Sequence, residues 1–263
     1  MKRVDSVISL IYSMSKAEKK AFSVQMLKDK EEKDYLVIYD IITKSKQLDS
    51  KNVKGEFHKR RPGGSFEVSI QYLYERLTDS LLTLRKKKDI YYDLLNNLCK
   101  ARMLYERSLF EECFEILSDT IEQATYYENN EVLTIALKLE LEYLLRLNFP
   151  NLAESELYHK HFMQNEALKK TRKIVEQSSL HNLLKYRLSH IGSIRTSKQK
   201  QDMNDLMVNE LSIAASSGIE GNFELMRNHR LFQANYLMGA GEYKAALNSY
   251  KELSRLFEQN RQF

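Results

Sequence analysis

In this chain of 263 residues, the candidates for metal or phosphate binding are the histidines and one glycine pair. His159 and His161 form a local histidine pair, but a spacing of two points their rings to different faces of a helix. Gly63-Gly64 follows Arg60 and Arg61, and its backbone amides could hold an anion, although a turn before a helix explains the same residues. The spacing therefore predicts no metal site.

Sequence motifs with a known catalytic or phosphate-binding mechanism are missing from the chain. None of GxxxxGK[ST], GxGxxG, GxSxG or HExxH occurs in it. Carboxylates are abundant, but no spacing singles out two of the 36 Asp and Glu residues as a general acid and base. We therefore expect a protein that is not an enzyme, has no catalytic residues and uses no cofactor.

Charge is distributed unevenly along the chain. Residues 1–88 hold 20 Lys and Arg against 12 Asp and Glu, whereas residues 89–263 hold 21 against 24. Such a basic region can contact an acidic partner or nucleic acid, and Lys59, Arg60 and Arg61 are its candidate anion or nucleic-acid contacts. A solvated helical surface is the simpler explanation, so a nucleic-acid partner is not favoured.

Cysteine use and hydropathy indicate the compartment. Cys99 and Cys113 both fall at apolar positions of helical patterns, and no CxxC pair or dense cysteine framework is present. The apolar run from Val7 to Tyr12 is too short for a signal peptide, and no stretch approaches the roughly 18 apolar residues of a membrane span. We therefore predict a cytoplasmic protein without a membrane partner.

Helix-forming residues dominate the sequence, and only 8 Gly and 2 Pro interrupt it. Short amphipathic helices are predicted in residues 1–64, the second starting at Lys16 after a capping box of Ser15 and Glu18. Loops are expected over residues 45–65, with at most a short helix around Val53 to His58. After Ser65, leucines and isoleucines at helical spacing predict a long helix over residues 66–86.

Repeated spacing is visible in two segments of the later chain. In LFQANYLMGAGEYKAALNSYKELSRLF, the small residues Ala234 and Ala246 are twelve apart, as are Ala101 and Cys113 in residues 94–127. Small residues at these places let two antiparallel helices approach closely. Both segments resemble the tetratricopeptide repeat, in which such small positions flank a tight turn like Gly241-Glu242-Tyr243.

Helix alternation extends this pattern between the two segments. We expect an apolar helix over 131–147, a break at 148–150, and further helices from 151, over 170–190 and over 202–215. The predicted fold is therefore all-α, with a basic N-terminal helical region at 1–64 and an array at 65–263 of the long helix and about four helix pairs. The resemblance implies a right-handed superhelix of antiparallel pairs.

The resemblance also implies a binding surface, because ligands of that family lie in the groove lined by the first helix of each pair. It places these groove positions on two helices: Leu95, Leu98, Cys99, Arg102, Tyr105, Asn228, Leu231, Phe232, Asn235 and Met238. Arg102, Asn228 and Asn235 could hydrogen-bond a peptide, with Tyr105 as an amphipathic contact. Ordinary solvated residues are the alternative for each.

The expected function is a non-catalytic scaffold that binds a protein or peptide in this groove. The alternative is a ligand-responsive regulator whose basic N-terminal region contacts nucleic acid. The last helix carries an apolar stripe, at Tyr243, Leu247, Tyr250, Leu253 and Phe257, that needs a neighbour, and no polar capping helix follows it. We therefore expect a homo-oligomer, or a longer array that continues through this end.

Overall fold

A computed structural model describes residues 2–26, 33–45, 49–86, 88–191, 196–216 and 221–262. Every regular element in these ranges is an α-helix, which confirms the all-α prediction. None of these helices combines the length and the apolarity that crossing a bilayer requires. The chain divides into two compact units, Met1–Asp93 and Leu94–Phe263.

The first unit is built around one long helix against which four shorter helices pack. Its helices are α1 (Lys2–Ser13), α2 (Lys16–Met26), α3 (Asp34–Lys44), α4 (Ser50–Arg60) and α5 (Phe66–Lys86). Leu73 and Leu77 of α5 are fully buried and share one core with Val7, Ile38 and Phe57. The long helix has the predicted bounds, but it belongs to this unit.

The boundary expected at residue 64 therefore differs from the division of the structure, which falls after Asp93. The physical reason is that Phe66, Ile70, Leu73 and Leu77 bury their side chains in the N-terminal core. A leucine stripe shows that a helix needs a neighbour without showing which neighbour. The sequence thus placed α5 in the array, whereas its packing places it in the first unit.

Two helix starts in this unit follow from their caps. The Ser15 hydroxyl accepts the N–H of Glu18 at 3.2 Å, and the Glu18 carboxylate accepts the N–H of Ser15 at 2.7 Å, as predicted. Asp49 caps α4 by accepting the N–H of Asn52 at 2.8 Å. With Val53 and Phe57 buried on its inner face, α4 is longer than the short helix expected in this region.

The second unit contains the later helices of the chain. They are α6 (Ile90–Glu106), which starts before the division, α7 (Phe110–Tyr126), α8 (Asn130–Arg146), α9 (Glu154–Ile191), α10 (Ser197–Ser216), α11 (Phe223–Gly239) and α12 (Tyr243–Gln259). Ala101, Cys113, Ala234 and Ala246 are at most 1% exposed. These four predicted small positions are thus buried.

One turn geometry recurs in this unit. Ser108, Glu128, Asn148 and Gly241 follow the ends of α6, α7, α8 and α11, and each has a positive φ, between 50° and 80°. After each, the next residue's N–H bonds the carbonyl five positions back, as from Leu109 to Leu104 at 3.0 Å. Gly241 and Asn148 are residue types that favour a positive φ, whereas Ser108 and Glu128 are not, so residue type gives no sign of two of the four turns.

Helix α9 departs from the predicted order. Two separate helices were expected, one from residue 151 and one over 170–190, but the structure has one helix of 38 residues. Neither Gly nor Pro lies within Glu154–Ile191, so nothing in the residue types stops it. Its first part packs on α8 and its second part on α10 and α11. The described helices therefore do not form four separate pairs.

Cross-helix contacts give the directions in the later part of this unit. Helix α10 runs antiparallel to α9, since Glu210 lies at 3.5 Å from Gln177 and Asp205 at 2.9 Å from Arg187. Helix α10 starts at Ser197, earlier than expected, because Thr196 and Gln199 form a second capping box. Helices α11 and α12 are antiparallel to each other, as the contact between Phe223 and Phe257 requires.

Candidate binding cleft

The residues predicted to line the groove lie on α6 and α11. Arg102 of α6 is exposed and pairs with Glu106 one turn later at 3.3 Å. The Tyr105 ring stacks on Tyr143 of α8, with 3.8 Å between the centroids, and also contacts Phe110. Tyr105 therefore joins helices within the fold, whereas Arg102 keeps an accessible side chain.

The two asparagines on α11 have internal partners. The Asn235 side chain donates to the Leu231 carbonyl at 2.9 Å, accepts from the Tyr250 hydroxyl at 3.1 Å, and lies 3.0 Å from His181 Nε2. Asn228 is 6% exposed and accepts from Arg227. Asn235 thus contacts α9 and α12, whereas Asn228 contacts its neighbour on α11 and its Nδ2 is buried without a partner. No described contact joins either side chain to the α6 residues.

Two apolar groove positions are also buried. Phe232 is 1% exposed and Leu98 is 7% exposed, so both side chains pack mainly within the fold. His181, which contacts Asn235, lies in the same interior, and burial lowers the pKa of its imidazole, helped by the nearby charge of Lys185. This stretch of α11 therefore forms part of the core between α9 and α12.

The candidate cations of the first unit each lie beside a carboxylate. Lys59 contacts Glu56 at 2.6 Å, Arg60 contacts Asp40 at 3.1 Å, and Arg61 contacts Asp34 at 3.6 Å. A cation paired in this way presents little net charge to a phosphate. These three side chains do not form a concentrated basic surface.

An open cleft of about 500 Å³ lies where α7, α8 and the first part of α9 meet. We call it the Glu140 cleft. Its lining comprises Ile121, Leu137, Glu140, Leu144, Leu152, Ser155, Glu156, His159, Lys160 and Met163. The floor is apolar, since Leu137 and Leu144 are buried, and polar side chains of α9 form the rim.

Glu140 is a buried carboxylate on this floor. Its residue is 6% exposed, and Oε1 accepts a hydrogen bond from the half-buried Lys160 at 2.8 Å. Its second oxygen, Oε2, is buried and has no hydrogen-bond partner. An unsatisfied buried acceptor costs about 1–3 kcal/mol, so a donor that reached Oε2 would be favoured.

The position of Glu140 had a signal in the sequence. One face of α8 has residues at 4-3-4 spacing, namely Leu133, Leu137, Glu140 and Leu144. Glu140 therefore places a charge within an apolar stripe. Charged residues are rarely buried unless they are paired. The partner Lys160 could not be found in this way, because it lies 20 residues away on another helix.

Chemically, this cleft suits binding. His159 lies at its rim, but among the described residues no group of three or more His, Cys, Asp or Glu side chains could hold a metal ion. Its polar groups are one carboxylate–ammonium pair with Ser155, Glu156 and His159, above an apolar floor. Such a surface holds an amphipathic segment by burial and hydrogen bonding.

A second polar cluster lies inside the helices α9, α10 and α11. Glu210 is 0% exposed, and its Oε1 lies 2.7 Å from His229 Nδ1 and 3.5 Å from the Gln177 amide nitrogen. Glu210 Oε2 and Gln177 Oε1 are buried without partners. Because the three residues come from three helices, no spacing in the sequence announced them. The cluster ties these helices together.

Comparison with known proteins gives no relative: no family model, no curated protein and no solved structure matches the chain.

Proposed function

We propose that this chain is a non-catalytic binding protein whose Glu140 cleft holds a peptide segment of a partner protein. The observation that carries the proposal is the buried, unpartnered Oε2 of Glu140, a residue that lines an apolar cleft. An extended peptide supplies N–H donors along its backbone and apolar side chains beside them. The N–H donors would satisfy Glu140 Oε2, and the apolar side chains would pack on the apolar floor of the cleft.

The size of the cleft supports a segment and not a whole domain surface. About 500 Å³ accommodates a few side chains, within the range of roughly 300–1,000 Å³ typical of ligand pockets. Lys160 is half-buried on one side of the floor, and Glu156 is exposed at the rim. A bound segment could therefore place a carboxyl near Lys160 and a donor near Glu140.

The fold we propose for residues 94–263 is a tetratricopeptide-like array of right-handed superhelical form. The buried small residues at matched spacing and the repeated turns support it. The array is longer in period than the 34 residues usual for that family, because α6 begins at Ile90 and α8 at Asn130. In this arrangement the first part of α9 pairs with α8, and its second part pairs with α10. The single helix α9 thus stands where a regular array would have two helices.

The alternative, a ligand-responsive regulator that contacts nucleic acid, has less support. Its candidate contacts Lys59, Arg60 and Arg61 each lie beside an acidic side chain. A salt-dependent gel shift with random DNA and RNA remains the direct test, since phosphate contacts strengthen as salt is lowered. Binding at about 50 mM salt would place this alternative ahead of the peptide proposal.

The peptide proposal is tested with a displayed library of random peptides selected on the full chain. Selected peptides are then measured by fluorescence anisotropy against the wild type and Ser155→Trp, which places an indole in the cleft from the exposed start of α9. We expect affinity to fall at least about tenfold, since a filled cleft cannot bury peptide side chains. Ser179→Trp, at an exposed site on α9 outside the lining, is the matched control.

Two results would contradict the proposal. One is a library that yields no peptide above background. The other is equal affinity of the selected peptides for wild type and Ser155→Trp, because they would then bind another surface. Circular dichroism of both tryptophan variants shows whether the helices are intact, so loss of binding through unfolding is distinguished from occlusion.

A further inference from the structure

A separate cavity lies in the first unit, between α1, α4 and α5. Its volume is about 350 Å³, at the lower end of the range for small-molecule pockets. We call it the Arg3 cavity. It is lined by Arg3, Val4, Ser50, Lys51, Lys54, Phe66, Glu67, Ile70 and Gln71. Three of these residues are cationic and one is anionic.

The charges of the Arg3 cavity do not cancel. Lys54 is neutralised by Glu67, whose carboxylate it contacts at 2.6 Å, and this contact lowers the pKa of Glu67. Arg3 and Lys51 form no ion pair within the part of the chain that the structure describes. The cavity therefore presents two cations that no described carboxylate neutralises.

Arg3 is held in place beside the cavity. Its guanidinium lies over the Tyr74 ring of α5, 4.4 Å from the centroid. A guanidinium that stacks on an aromatic ring still presents the N–H donors in its own plane, where they can bind an acceptor. The contact therefore restrains the position of the Arg3 charge relative to α5.

The base of the Arg3 cavity is apolar. Val4, Phe66 and Ile70 are 6%, 2% and 3% exposed, and each contributes to the lining. An inorganic anion would gain nothing from these side chains, whereas a ligand with an apolar body would bury surface against them. Cations at the mouth and hydrocarbon at the base together select an amphipathic anion.

We propose that the Arg3 cavity binds a small anion with an apolar body, such as a carboxylate, sulfonate or phosphate joined to an aromatic or aliphatic group. The acid group lies between Arg3 and Lys51, and the apolar body lies on Phe66 and Ile70. This site is independent of the Glu140 cleft and of the proposed peptide. Paired cations such as Lys59 play no part in it.

The test uses two dyes that share one aromatic body. 8-Anilinonaphthalene-1-sulfonate carries the acid group, and N-phenyl-1-naphthylamine lacks it. Each is titrated into the full chain while dye fluorescence is followed. We expect the sulfonate to bind at least about tenfold more tightly than the neutral dye, and its affinity to fall as salt is raised.

Variants locate the binding site. Arg3→Gln with Lys51→Gln should weaken sulfonate binding at least about tenfold, whereas Lys16→Gln with Arg85→Gln should leave it unchanged. The control pair has exposed residues of the same types in the same unit, outside the lining. It therefore changes the net charge equally, and a loss confined to the first pair is a local effect.

A second variant guards against loss of the fold. Ser50→Glu places a negative charge in the cavity at the first residue of α4, where a carboxylate favours the helix. We expect it to keep the helix content and to lose sulfonate binding. The proposal is overturned if the sulfonate does not bind, if both dyes bind equally, or if either cavity variant binds like wild type.

Discussion

Removing either member of the buried Glu210–His229 pair should destabilise the second unit strongly, and removing both should cost far less than the sum. Glu210→Leu leaves the imidazole of His229 and the amide of Gln177 without their acceptor. His229→Leu leaves a fully buried carboxylate with only the 3.5 Å contact to Gln177. Leucine is similar in size to both residues, so packing volume changes little.

The magnitudes follow from burial. Removing the hydrogen-bond partner of a buried charged group costs about 3–5 kcal/mol, because the remaining charge is uncompensated. Glu210 is fully buried, whereas the His229 side chain is 15% exposed and can reach some water, so we expect His229→Leu to cost the more. The double variant loses only the hydrogen bond of Gln177, at about 2 kcal/mol. The coupling between the two sites is then about 4 kcal/mol or more.

The assay is urea unfolding followed by circular dichroism, combined with hydrogen exchange of the amides in α10 and α11. The local measurement is needed because the two units of the chain can unfold separately. The reasoning is refuted if the two single effects add to the double effect within about 0.5 kcal/mol. It is also refuted if His229→Leu costs less than about 1 kcal/mol.

Two further outcomes are expected. Glu128, in the turn before α8, accepts the N–H of Phe223 at 2.8 Å, and burial raises the pKa of its carboxyl. A carboxyl with a raised folded-state pKa stabilises the fold most at low pH and loses this contribution as pH rises through that pKa. The Tm of Glu128→Gln relative to wild type should therefore rise between about pH 4 and about pH 7, and a constant difference would contradict this. Cys99 is exposed, whereas Cys113 is buried and burial raises the pKa of its thiol. Iodoacetamide should therefore alkylate one thiol in the folded chain and two in urea, and equal rates in the folded chain would argue against the packing of α7.

Local features of the fold were predictable because they depend on neighbouring residues. The helix over 66–86 and the capping box of Ser15 and Glu18 follow from contacts one turn apart, and both are confirmed. The small residues Ala234 and Ala246 were predicted to face a close helix, and both are buried. The recurring turns escaped prediction because Ser108 and Glu128 are not residue types that favour a positive φ.

The candidate sites were less predictable. Asn235 was expected to face a ligand, but its side chain is occupied by Leu231 and Tyr250 and lies against His181. The residue type and helical position of an asparagine do not show whether its side chain will hydrogen-bond a ligand or the next helix. The cytoplasmic location, the oligomeric state and the partner stay predictions.

Residue types and spacing by themselves determined that this protein is helical, where α2, α5 and α8 begin, and that small residues such as Ala234 and Ala246 are buried. Those features rest on hydrogen bonds and side-chain preferences within one or two turns. Tertiary structure alone decided that α5 belongs to the first unit, that α9 is continuous in its packing on α8 and α11, and that Glu140 meets Lys160. These features depend on which buried surfaces pack together. The type of a residue does not show which distant residue it contacts in the folded chain.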